Sequence, residues 1–174
     1  KYKTDMLWKI DALIGGVGGY CLPSSSSKNP YPAGIERELY RPLQYTKEEI
    51  DVGYGRVNAR YIIDMCGMHL EAACRLLVMN SVLDEFRFSN CTLGKAVHRI
   101  EKKKLLDGNV IQALYDFVQI YNRSKHEVNQ DETRERLFST DDAIVVYFAT
   151  RILGVSILQK LGREESFKEY DIYD

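Results

Sequence analysis

Residues 121–129 read YNRSKHEVN and hold a histidine, an arginine, a lysine and two asparagines. An arginine fork can hold phosphate oxygens, and an imidazole can move a proton near neutral pH. Asn122, Arg123 and His126 could therefore grip a phosphodiester and assist proton transfer on it. The same residue types also make the ordinary solvated or partner-contacting face of a helix, and short motifs of this kind are weakly specific.

Their spacing matters more than their types. On a helical wheel at about 100° per residue, the apolar side of 109–128 centres near Leu114, Phe117, Tyr121 and Val128. His126 falls well over a quarter turn from that centre, beside Tyr115, Gln119, Asn122 and Arg123. One stripe thus carries an aromatic ring, two amides, a guanidinium and an imidazole.

Other groups compete for attention. His98, Arg99, Lys102, Lys103 and Lys104 form the densest basic cluster and could meet RNA phosphates. They also close a helix, where cations are favoured anyway. Cys66-x-x-His69 has the i,i+3 spacing of half a zinc site. Its plainer reading is a core thiol beside a hydrogen-bonded imidazole. GGVGG at 15–19 lacks the GK[ST] ending and the strand context of a phosphate loop and reads as a helix stop. Asp141 and Asp142 could suggest acid–base work, but a helix start explains them. No Ser-His-Asp or Cys-His arrangement shows in the spacing, and three histidines leave few routes to one.

The elements that must position these groups read as helices. Residues 5–14 predict a short one. CLPSSSSKNPYPAG, 21–34, holds three of the four prolines and predicts a loop. Thr46 and Glu49 fit a capping box opening a long helix to about Leu83, weakened early by Gly53 and Gly55. From Arg60 that span is apolar on most sides and predicts the central core helix, with Arg60–Asp64 and Glu71–Arg75 pairing along its edge. A shorter helix over 93–106 ends at Asp107-Gly108, and Asn109 caps the next with Gln112 three residues on. Ser139 and Asp142 cap a last helix from about Thr140 to Leu161, with Ile144, Tyr147, Phe148, Ile152, Val155 and Leu158 facing inward and Gly162 ending it. No strand alternation competes and no repeat is visible.

The chain of 174 residues suffices for one domain with a substantial core. Hydrophobic residues are 45% and charged residues 28%, ordinary for a globular protein. A net charge of −1 supplies no global field toward nucleic acid or anionic lipid. The first residue is Lys1, which suits a processed or trimmed chain, and no signal-peptide pattern is expected at that end. The apolar stretch at 60–79 is broken by Arg60, Asp64, His69, Glu71 and Arg75, which excludes it as a membrane span. None of Cys21, Cys66, Cys74 and Cys91 forms a CxxC pair, so a reduced, cytoplasmic protein is expected.

The fold expected is all-α: an up-and-down bundle of about four main helices with an N-terminal helix and long loop. Its divisions are an extension and Pro/Ser-rich loop over 1–45, a bundle over 46–162 and a charged tail over 163–174. Over 47–161 this organisation resembles the HEPN superfamily, a compact helical bundle with a polar motif late in one helix. Nuclease members carry Arg-Asn, three variable residues, then His. Asn122 and His126 match two of those positions; Tyr121 stands where the arginine would be, and Arg123 is out of register. The resemblance implies a homodimer with two motif helices lining a shared cleft, and metal-independent RNA cleavage by Asn122, Arg123 and His126. From the stripe and the basic cluster, RNA or nucleotide contact is expected also at Gln119, Tyr115, Lys125, Arg99, Lys102 and Lys103, with no cofactor and no metal. With Tyr121 in the arginine position, either Arg123 substitutes or the protein binds without cleaving. A different reading is a non-catalytic helical module that dimerises or docks on a partner protein.

Overall fold

The computed structural model describes residues 2–15, 35–53, 57–81, 91–126 and 138–162. These form six helices: α1 (Tyr2–Ile14), α2 (Ile35–Gly53), α3 (Ala59–Ser81), α4 (Leu93–Lys102), α5 (Gly108–His126) and α6 (Thr140–Lys160), with no strand among the described residues. The all-α bundle expected from the pattern is the fold. The 21–34 loop, the 163–174 tail, Gly55 and Val128 lie outside the described residues.

The centre is α3, packed against α2, α4, α5 and α6. Ile62, Ile63, Cys66, Leu70, Ala73 and Cys74 are fully buried on it. None of the six helices is long and apolar enough to cross a membrane.

The expected start at Thr46 is wrong. Helix α2 begins at Ile35 and passes through Pro42, so Thr46 is mid-helix and donates its hydroxyl to the Pro42 carbonyl at 2.8 Å. Leu39, Leu43, Thr46 and Ile50 all face the core at helical spacing, and this buried row carries the helix across the proline. The 45/46 division therefore falls inside a helix. The span to Leu83 is two helices, with the break after Gly53. Asn58 opens α3 by accepting the Tyr61 amide at 3.1 Å on its side chain.

Smaller corrections follow the same logic. Glu71 does pair with Arg75, at 2.5 Å, but Arg60 and Asp64 both turn to Ser124. Asn109 sits inside α5, whose first turn is closed by the Ile111 amide on the Asp107 carbonyl. At the end of α4 the amides of Lys104 and Leu105 bond back to Glu101 and Ile100, with Lys104 left-handed at φ 53°. Glycine usually takes that place, as Gly162 does after α6 at φ 63°.

The capping box of α6 is as expected. Ser139 accepts the Asp142 amide, and the Asp142 carboxylate accepts the Ser139 amide. The inward face of α6 is as expected only in part: Tyr147 and Leu158 are buried, while Ile144, Phe148 and Val155 are half-buried. Ile152 is 56% exposed, and the buried row is Ala143, Val146, Tyr147, Thr150, Arg151, Leu153, Gly154, Ile157 and Leu158. This helix is apolar all round, so periodicity alone could not choose its inner side.

Candidate functional site

The motif at the end of α5 divides into an inner and an outer half. Tyr121 and Ser124 are buried; Asn122, Arg123, Lys125 and His126 are exposed. The division follows from helical spacing, since residues three apart share a face.

The inner half is bolted to α3. The Tyr121 ring lies directly over Gly67, where any Cβ would collide with it. The Ser124 hydroxyl donates to Asp64 at 2.8 Å. The Arg60 guanidinium donates through both Nε and Nη2 to the Ser124 carbonyl, the Nε contact being 2.9 Å. One of the last carbonyls of α5 thereby receives a cation. Lys125 stretches back over Tyr121, its Nζ 3.8 Å from the ring centroid. Burial pushes the Tyr121 hydroxyl up, against the pull of Lys125.

On the outer half, Gln119, Asn122 and His126 stand on one exposed row with Arg123 beside them. Tyr115 continues that row but is engaged, its hydroxyl donating to Glu101 at 2.6 Å. That bond raises the Tyr115 hydroxyl above its usual range. It also fixes where α4 lies. Glu101 is level with Tyr115, and Gly94 is level with Val118, so the two helices are antiparallel. His126 is eleven residues beyond Tyr115, or about 16 Å along the axis at 1.5 Å per residue. Arg99, Lys102 and Lys103 therefore sit at the opposite end of the α4–α5 pair from His126. Two of the three, Lys102 and Lys103, are exposed, and Arg99 is half-buried. The structure brings Asn122, Arg123 and His126 together and leaves the α4 cations as a separate patch.

The zinc-like pair is core. Burial pushes the Cys66 thiol up to about 12, with Thr150 and Thr46 beside it. His69 is lowered to about 4 by burial, opposed by its Leu39 hydrogen bond and helped by Arg151. Its Nδ1 donates to the Leu39 carbonyl at 2.9 Å, so Nε2 keeps a bare lone pair against Gly154. Among the described residues no group of three or more His, Cys, Asp or Glu converges on a metal position.

A cluster the motifs did not reveal joins α1 to α2 and α6. Asp11 is fully buried and receives Arg151 Nε at 2.6 Å, the Tyr147 hydroxyl at 2.8 Å and Lys47 Nζ at 3.0 Å. Arg151, 1% exposed, also donates to the carbonyls of Asp11 and Gly15. Burial raises the Tyr147 hydroxyl well above its usual range, and Asp11 adds to this. The signal was present: one acid in the apolar run of 6–14 and one arginine in the apolar run of 143–158. Charges of opposite sign on two apolar faces imply each other.

Compared with known proteins, the chain matches no family model, no curated protein and no solved structure.

Proposed function

We propose that the protein is a HEPN-like binding domain that holds RNA or a nucleotide on the exposed row of α5 and does not cleave it efficiently. The observation that carries this reading is the split of the motif. Tyr121 and Ser124 lock the end of α5 onto α3, and the locked helix displays Asn122, Arg123 and His126 together. Rigid support behind exposed polar groups is what a binding site requires. The residue in the arginine position of nuclease members, Tyr121, is buried over Gly67 and has no access to a phosphate. Arg123 is displaced from that position by two residues, so phosphate stabilisation in the transition state lacks its usual donor. A reduced, cytoplasmic setting suits the three buried thiols Cys66, Cys74 and Cys91.

Fluorescence anisotropy with a labelled single-stranded RNA tests this. Binding weakens with salt, and Arg123→Ala/His126→Ala lowers affinity about tenfold through lost phosphate contacts. Cleavage by the unaltered chain stays at the level of His126→Ala. No binding at low salt, or cleavage abolished by His126→Ala, would overturn it.

The second reading, a helical interaction module, is favoured by a different observation. Helix α6 is apolar on its outer side too, where Val145 is 67% exposed. A helix apolar all round is normally covered all round.

A further inference from the structure

The outer side of α6 carries Val145, Phe148, Ile152 and Val155. Val145 and Ile152 are exposed, and Phe148 and Val155 are half-buried. Their spacing is three, four, three, the a/d pattern of a helix-pairing seam. We propose that this row is the seam of a homodimer in which α6 pairs antiparallel with α6 of a second copy. The inference does not depend on the RNA reading.

Three features identify the occupant as a second copy. A three-four-three row reads the same in both directions. A copy related by a two-fold axis near residue 150 sets Val145 against Val155 and Phe148 against Ile152, so every apolar residue meets an apolar residue. This is the self-complementarity an isologous contact demands. The ends then match in charge. Asp141, exposed in the first turn, lies opposite Gln159 and Lys160 in the last. A parallel pairing would instead set acid on acid. Finally, the positions flanking the seam, Ala149 and Ser156, are small and let two helices approach closely.

Helix α1 supports α6 from the side. It is held beside α6 by Asp11, and its Trp8 turns toward α2, donating its indole N–H to Asp51 at 2.6 Å. Trp8 also packs edge-on against Tyr147 of α6, 6.1 Å between ring centroids. A four-residue seam makes a small interface, which sets the dimer in the micromolar range.

Sedimentation velocity on the full chain, from about 1 to 100 µM, reads the outcome. The unaltered chain runs as a dimer in this range. Ile152→Asp raises the dissociation constant about 30-fold or more, the effect of losing a central anchor. Its far-ultraviolet dichroism is unchanged, because the side chain replaced is exposed; Val145→Lys behaves alike. Asp141→Lys weakens the dimer, and adding Lys160→Glu restores it, because the antiparallel register places the two together. A monomer at 100 µM overturns the proposal, as does a dimer indifferent to Ile152→Asp. A charge swap that fails to restore association overturns the antiparallel register.

Discussion

The polar cluster between α1 and α6 and the polar end of α5 use similar residue types in opposite ways. Asp11, Lys47, Tyr147 and Arg151 come from three helices and satisfy one another out of water. Asn122, Arg123 and His126 come from a single turn and face solvent. Proximity in sequence marked the second group and missed the first. The difference teaches that adjacency along a helix creates a display, whereas convergence of distant helices creates a closed network. Removing one member of the closed network strands a buried charge, whereas the display carries no such penalty.

The sharpest way to break that comparison is Asp11→Ala. It leaves the buried Arg151 guanidinium without its carboxylate and costs about 4 kcal/mol, the scale for stranding a buried charge. Arg151→Met costs less, since Lys47 still faces Asp11. Chemical denaturation of both variants and of the pair together measures the coupling, and purely additive effects would refute a shared network.

Proton linkage offers a second, smaller effect from the same buried region. His69 titrates at about 4 when folded, against 6.5 for the exposed ring. Between these values the unfolded chain binds a proton that the folded chain refuses. Stability is therefore complete above about pH 6.5 and declines as pH falls toward 4, by up to about 3 kcal/mol at 1.36 kcal/mol per unit. Urea midpoints across pH 4–7 follow it, and a slope that persists in His69→Gln would assign it elsewhere.

The smallest effect lies at α5 and sharpens the contrast. His126→Ala, on the exposed row, changes stability by no more than about 0.5 kcal/mol. Ser124→Ala, two residues away, removes a buried hydrogen bond to Asp64 and costs about 1–2 kcal/mol. Thermal melts of the two side by side test whether outer and inner halves are energetically distinct.

The sequence is legible where one face of a helix is polar. The wheel places Tyr121 toward the core, where it is buried, and the outward row of Asn122 and His126 follows from the same wheel. The Ser139 cap is legible because its chemistry is local. The start of α2 is hidden because Thr46 and Glu49 mimic a capping box, and only the buried row Leu39, Leu43, Thr46 and Ile50 shows that the helix is already under way. The inner face of α6 is hidden because apolar residues surround it. The Asp11–Arg151 pairing is hidden because nothing along the chain measures a distance between residues 140 apart.

That last separation has a consequence for how the protein is made. During synthesis α1 emerges well before α6, and its buried carboxylate finds Arg151 only after α6 has left the ribosome. Until then α1 has only its α2 partners, Lys47 for Asp11 and Asp51 for Trp8, and lacks the α6 side of its buried network. Full docking of α1 is thus a late event that reports completion of α6, and a chain interrupted before residue 147 would leave α1 without its α6 partners.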